Sequence, residues 1–431
     1  MKSFKKIGLL IIFSMLTLEA DPFNNGFLVN LEKKHIKFGL FDKSNKNGDC
    51  SNNKRRLKRI LGKKLFNDKS LSLNKTISCA SCHNPKHAFI DTRFKDSIHP
   101  VDGAVSIGDD GVALGGRNTP TISYAKFSPK FHFDHASNSY VGGQFHDGRA
   151  RGLTRQAMGP PLNLNEMMMP NKKSVIKRIK QDPFYRIGFK KVFGKRIFKN
   201  DNKAYKAMGK LIASYEKSKE FSPFNSRYDR FLKCKKRGNN DEFCYVKGEW
   251  TEEEKLGMNA FFKAPKSNCR NCHTLESPFK KRETFTDYKY YNIGVPRNQQ
   301  VLEEKGLSST HVDHGIYGRE DIDDESLDGA FKTPTLRNIA VTGPYMHNGV
   351  FKDLRTVIEF YVHISNLDES GNSPIPNNPE TAMPWGEPNV ENTIRHDILD
   401  TLPIMPERSI VGMEAFLKTL TDKKYEYLLE D

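Results

Sequence analysis

The sequence predicts a mostly α-helical protein of two related halves with long irregular connections. Three observations lead there. Apolar residues recur at helical spacing, while Val- and Ile-rich strand runs are scarce. The 22 Pro and 31 Gly punctuate long stretches between the helical segments. One coarse arrangement occurs twice: an amphipathic helix, a Cys-x-x-Cys-His motif, then a long Gly/Pro-broken stretch. A chain of 431 residues suits two domains, and 29 Phe and 15 Tyr supply core bulk although hydrophobic content is only 37%.

In the first half the helix runs from Lys54 to Phe66, with Leu57, Ile60, Leu61 and Leu65 on one face. In the second, Thr251 caps a helix that runs to about Phe262, and Glu254 completes a capping box. A helix from about Asn202 to Ser218 closes the first domain, and the polar segment Ser222–Gly248 reads as a linker. Asn366–Pro388, rich in Pro and Asn, is expected as an ordered loop, and a last helix covers about Ser409 to Leu420. The expected organisation is a signal peptide over 1–20, a first domain over 21–221, a linker over 222–248 and a second domain over 249–431.

The start carries Lys2, Lys5 and Lys6, then an apolar run from Ile7 to Leu18 and a cleavage-like Leu18-Glu19-Ala20. The run is short for a membrane span. No later stretch approaches one, so the expected mature protein is exported to the periplasm without a membrane span. Net charge is +17. Lys and Arg look spread along the whole chain, which predicts a basic solvated surface or an acidic redox partner. No nucleic-acid motif accompanies the charge.

Four of the seven Cys lie in Cys79-Ala80-Ser81-Cys82-His83 and Cys269-Arg270-Asn271-Cys272-His273. Two thiols three residues apart can each add to one vinyl group of a haem, and the adjacent His reaches its iron; the spacing reads as c-type haem attachment. A redox Cys-x-x-Cys does not need the following His, and a zinc site would need further paired ligands. Two such motifs behind an export signal therefore predict two covalently bound haem c groups, each carried by a c-type cytochrome domain, the two related by internal duplication. Cys234 and Cys244 flank a polar loop and are candidates for a disulfide after export; Cys50 has no assigned role.

Further motifs carry a resemblance. Arg117-Asn118-Thr119-Pro120-Thr121, Gly143 to Ala150, Gln156-Ala157 to Glu166-Met167, Asn292 to Arg297, Phe331 to Asn338, Pro344 to Gly349 and Phe416 to Leu420 occur in order around the two haem motifs. Together they resemble the bacterial di-haem cytochrome c peroxidases and their MauG-type relatives, from about residue 55 to 425. The resemblance implies a peroxidatic haem with His83 as proximal ligand and an electron-transfer haem with His273. It implies that Gln144 is the glutamine of the peroxide pocket. It also implies that Asn118, with the carbonyls of Thr342 and Pro344, holds a Ca²⁺ ion, a donor set that suits this cation.

The departures matter as much. Where conventional members carry a removable His in Ser-Ile-Gly-His, this chain reads Ser106-Ile107-Gly108-Asp109. Asp is a poor iron ligand, so the first haem is expected to be open opposite His83; His87 and His99 are nearby candidates for a replacement ligand, with a surface or structural histidine the favoured reading of each. At the second haem the resemblance puts Tyr361 at the distal position, where MauG-type proteins have Tyr and peroxidases Met; Met346 is the alternative, and an ordinary core aromatic the other reading of Tyr361. A phenolate stabilises ferric and higher iron states.

The family's Glu ten residues after the pocket glutamine falls here on Thr154. A Thr is a poor acid, so Glu166, Asp147 or a water held by Gln144 and Thr154 would have to deliver the proton. The family's Trp between the haems is also missing, with Tyr124, Phe131 or Phe133 as substitutes and His146 in its place. These features predict an enzyme that reduces hydrogen peroxide with electrons from a cytochrome c or similar donor. The first alternative is MauG-type chemistry, in which the oxidised di-haem state acts on residues of a partner protein. The second is a non-catalytic di-haem electron carrier or sensor.

Overall fold

The computed structural model describes residues 50–95, 101–262, 269–277, 280–400 and 404–430. The expected signal peptide and His99 lie outside these residues. Arg55–Asp431 form one compact unit.

The first half contains helices α1 (Cys50–Phe66), α2 (Cys79–Cys82), α3 (Leu153–Gln156), α4 (Lys172–Gln181), α5 (Pro183–Phe193) and α6 (Asp201–Glu216). Helix α1 starts four residues before the expected Lys54 and stops where expected, at Phe66. Its Leu57, Leu61, Leu65 and Phe66 are buried; each contributes roughly 1.5–3 kcal/mol of burial. The helix lies so close to α6 that a Cβ on Gly62 would strike the Leu211 carbonyl. Asn171, Asp182 and Asn200 cap α4, α5 and α6 with side-chain oxygens.

The second half contains α7 (Arg227–Lys235), α8 (Asp241–Lys247), α9 (Glu252–Phe262), α10 (Cys269–Cys272), α11 (Gln299–Glu304), α12 (Leu354–Ile364), α13 (His396–Leu399) and α14 (Glu407–Lys418). The Thr251–Glu254 capping box forms in both directions, at 3.2 and 2.9 Å. The segment 222–248, expected as a linker, instead folds as α7 and α8. Tyr228, Phe231 and Tyr245 bury into the core with Trp250, Phe261 and Phe416, and a Cys234–Cys244 disulfide joins the two helices. Asn366–Pro388 contains no helix or strand, as expected.

Strands among the described residues make only two-stranded antiparallel ribbons: β1 (His132–Asp134) with β2 (Ser139–Val141), β3 (Glu276–Ser277) with β4 (Lys280–Glu283), and β5 (Tyr290–Tyr291) with β6 (Phe331–Lys332). The fold is therefore mostly helical. Its irregular stretches are held by local hydrogen bonds, and many of these occur in pairs, one in each half.

Candidate haem sites and the cavity they share

The two Cys-x-x-Cys-His segments adopt the same local geometry. The His83 N–H donates to the Cys79 carbonyl at 2.8 Å, and His273 N–H to Cys269 at 2.8 Å. The Nδ1 of His83 pairs with the Phe89 carbonyl at 3.1 Å, and that of His273 with Phe285 at 3.0 Å. Both phenylalanines have positive φ, 61° and 53°. A ring whose Nδ1–H is held by a carbonyl presents Nε2 as a neutral donor, the usual outer arrangement of a metal-bound histidine. Burial lowers both imidazole pKa values, that of His273 to about 4, so both rings are uncharged near neutrality.

The parallel extends outward. Thr121 Oγ1 donates to Ala88 at 2.5 Å and Thr335 Oγ1 to Thr284 at 2.6 Å. Tyr124 and Asn338, each three residues later, are both left-handed and each open a 3-10 turn. Gln144 pairs with Ala150, and Tyr345 with Phe351, around glycines of positive φ at 148 and 349.

Cys79, Cys82, Cys269 and Cys272 stand outside any disulfide although the Cys234–Cys244 bond has formed. Burial raises their thiol pKa where a shift is resolved, to about 12 for Cys82 and Cys272. No cluster of three or more His, Cys, Asp or Glu suited to a metal ion occurs among the described residues. A cavity of about 870 Å³ opens onto Cys82, His83, Cys269, Cys272 and His273. Two thiols outside any disulfide, a neutral anchored imidazole and an apolar cavity suit a covalently attached haem at each motif; a zinc or dithiol site would not need that space.

Of the residues expected opposite His83, Asp109 is buried and does not line the cavity. Its carboxylate accepts hydrogen bonds from Ser72 Oγ at 2.6 Å, Thr76 Oγ1 at 2.5 Å, the Thr76 N–H at 3.1 Å and the Asn74 N–H. Burial acts to raise its pKa, but these donors outweigh it and hold the carboxyl below the usual range. Asp109 is therefore a loop clamp. His87 is tied to Asn84 in the turn after His83 and also misses the cavity.

The cavity wall near the first motif instead carries Gln144, Gln156, Asn163 and Glu166. Gln144 Nε2 donates to the Ala125 carbonyl at 3.2 Å. Thr154, expected at the acid's position, sits on α3 away from the cavity, its carbonyl against Gly209 of α6. This corrects the assignment. The ten-residue spacing of glutamine and acid is met by Gln156 and Glu166, both on the wall, and sequence reasoning missed Gln156 by starting the count at Gln144. Gln156 lines the cavity, and its Oε1 is buried without a hydrogen-bond partner. Glu166 accepts from Asn163 at 2.5 Å, and burial raises its pKa against that bond and the Arg149 charge.

At the second motif, Tyr361 and Met346 both reach the cavity. Tyr361 lies within electrostatic range of Cys272 and Cys269, and its phenol pKa is raised by burial. Asn118, Thr342 and Pro344 line the same cavity. The wall also carries Tyr124, whose hydroxyl donates to Asp422 at 2.7 Å, and His146, whose Nε2 pairs with the Asn118 carbonyl at 3.0 Å. Phe331 stacks on His347 with centroids 3.6 Å apart. Phe131 and Phe133, the other expected substitutes for Trp, stay off the wall. Arg117 ties the halves together, bonding Asp147 and Asp313 at 2.6 Å each.

Residues 57–237 match the model of the di-haem cytochrome c peroxidase family. The chain is 44% identical over 372 residues to the methylamine utilization protein MauG of Paracoccus denitrificans, covering 86% of this chain and 90% of that one. The chain belongs to the di-haem cytochrome c peroxidase and MauG family. Family membership implies two haem c groups. It is also 30% identical to the cytochrome c551 peroxidase of Nitrosomonas europaea, over 69% of this chain and 71% of that one. The diheme peroxidase BthA of Burkholderia thailandensis has a similar solved structure, with a TM-score of 0.68 at 29% identity, covering 86% and 87% of the two chains. No described helix is long and apolar enough to cross a membrane.

Proposed function

We propose that this chain is an exported, periplasmic di-haem oxidoreductase of the MauG type, which uses hydrogen peroxide to oxidise residues of a partner protein. One observation carries the reading: the carboxylate standing where conventional peroxidases have a removable His is spent on the 72–76 loop, so no side chain from that stretch closes the site opposite His83. Tyr361 on the second wall and the 44% identity to a MauG point the same way.

In this reading two haem domains, related by duplication, carry haem through Cys79, Cys82 and His83 and through Cys269, Cys272 and His273. Haem iron supplies peroxide binding and storage of two oxidising equivalents. The chain's own residues do the rest. Phe89 and Phe285 hold the two imidazoles by Nδ1. Gln156 would orient peroxide from the wall, and Glu166 would hold the proton that O–O cleavage needs. Gln144 supports the wall through Ala125. Tyr361 would offer its phenol oxygen to the second haem. Asn118 and the carbonyls of Thr342 and Pro344 fit a Ca²⁺ ion between the halves.

The second reading, peroxide reduction with electrons from a cytochrome, is favoured by the relatives named as peroxidases. The test is peroxide turnover by the fully haem-loaded protein without prior reduction. The proposal expects negligible steady-state oxidation of reduced cytochrome c and oxidised residues in a partner protein by mass spectrometry. Fast cytochrome oxidation with no modified partner would replace it by the peroxidase. An EPR spectrum of the ferric protein without any high-spin signal would replace both by an electron carrier, and loss of the low-spin signal in Tyr361→Phe would identify the second distal ligand.

A further inference from the structure

The described surface holds a face that the haem chemistry does not use. Three loops, 72–76, 108–113 and 163–168, meet there. Asp109 joins the first two through its carboxylate, and its N–H donates to the Glu166 carbonyl at 2.8 Å. The Leu73 N–H donates to Met167 at 2.9 Å. On this tied framework Leu73, Val112 and Leu164 are 43%, 76% and 70% exposed. Exposed aliphatic side chains mark an interaction site where they adjoin on one face, as on these three tied loops, rather than where they stand singly.

Helix α4 runs beside this face, fastened by Arg178, which donates to the Ser70 carbonyl at 2.7 Å and to Leu73 at 2.9 Å. Between them lies a groove of about 530 Å³ lined by Leu73, Lys75, Lys177 and Arg178 among others. Its lining carries Lys75, Lys177 and Arg178 against one acid, Asp182, and the segment from α4 onward is strongly basic. Residues 172–219 contain 16 Lys and Arg against 3 acids. Of those acids, Asp182 pairs with Lys64, Asp201 pairs with Lys180, and Glu216 is buried. The carboxylate of Asp110, also on this face, is turned onto its own loop's N–H groups at Val112 and Ala113. An apolar centre with a charged rim is the anatomy of a protein interface.

We propose that this face docks an acidic segment of a protein partner, with aliphatic side chains meeting Leu73, Val112 and Leu164 and carboxylates entering the Lys75–Lys177–Arg178 groove. A concave groove takes side chains rather than a flat lipid surface, and none of the three exposed apolar residues is the Trp or Tyr that marks a membrane interface. The 163–168 loop also carries Glu166 to the cavity wall, so a docked partner rests on the loop that bounds the first site. The proposal rests on the partner-protein reading above and names the partner's chemistry.

The experiment measures binding of the haem-loaded protein to a synthetic peptide of mixed Glu and Leu, by fluorescence anisotropy at low and at about 0.15 M salt. Binding is expected to weaken with salt and to fall roughly tenfold or more in Lys75→Glu/Lys177→Glu. Leu164→Ser should weaken it several-fold. Lys236→Glu/Lys247→Glu, on the α7–α8 hairpin, should leave it unchanged. Equal losses in both charge reversals would overturn the proposal, because the attraction would then be general. So would tighter binding to vesicles containing anionic lipid, lost in the same variants. The readout needs no turnover: a protein that binds the peptide at this face but oxidises no partner sinks the functional reading and leaves the docking face standing.

Discussion

Glu166 reaches the cavity wall through a short loop rather than a helix, and a single hydrogen bond from Asn163 competes with its desolvation. A carboxyl whose pKa is raised stays protonated to higher pH. If it is the proton carrier, peroxide-dependent activity falls as pH rises through that raised value, and Glu166→Gln lowers it by about 10²–10⁴ and removes that limb of the pH profile. An unchanged profile in the variant would remove Glu166 from the mechanism.

Glu216 is a second buried carboxyl, on α6, with Oε2 unpartnered and its pKa pushed by burial from 4.5 to about 8. The folded state binds its proton more tightly than the unfolded state does, so ionisation opposes folding. Relative to Glu216→Gln, wild type is expected to lose stability as pH rises from about 4.5 to 8, by on the order of 5 kcal/mol in total, with no further change above. Thermal unfolding of both proteins across that range measures it; parallel curves would mean that an unseen partner holds the charge. At this scale the haem-bearing residues were legible because thioether chemistry dictates their spacing. The Gln156–Glu166 pair was visible as a ten-residue interval but was passed over, since Gln144 sits in the stronger motif and only three-dimensional placement shows that Glu166 is on the cavity wall and Thr154 is not.

Helices α9 and α14 form a closely packed pair in which a Cβ on Gly257 would strike the Gly412 carbonyl. Gly257→Ala cannot be absorbed by a rotamer change, because the obstacle is backbone. A loss of about 2–4 kcal/mol is expected, read as a lower Tm at equal haem loading; an unchanged Tm would show that the helices can part without cost. The ends of α9 were predictable because Thr251 and Glu254 spell out the cap. The α7–α8 hairpin was not, because Tyr228, Phe231 and Tyr245 are sparse anchors among exposed charge. Such composition looks like a linker until a disulfide and a neighbouring core are available to hold it.

Over the whole molecule the charge is divided rather than spread, contrary to the reading of an evenly basic chain. Residues 1–219 hold 42 Lys and Arg against 17 acids, and residues 220–431 hold 27 against 35. The separation was countable in the sequence and went unseen because no single run stands out. The two halves meet around the cavity that opens onto Asn118, Thr342 and Pro344. If Ca²⁺ is held there, its removal by a chelator is expected to change the EPR spectra of both haems reversibly, because Asn118 comes from the first half and the Thr342 and Pro344 carbonyls from the second. Spectra indifferent to the chelator would show that protein contacts such as Arg117 with Asp313 suffice.

Asp109 also bears on how this site can change through descent. Four donors from residues 72–76 now depend on its two carboxylate oxygens. An imidazole offers at most one acceptor, so a substitution back to His would leave several donors stranded and release the loop before it could supply a ligand to iron. The strut is therefore hard to turn back into a plug. On the reading proposed above the site opposite His83 then stays uncovered, and control over when it fires would come from whatever it meets outside.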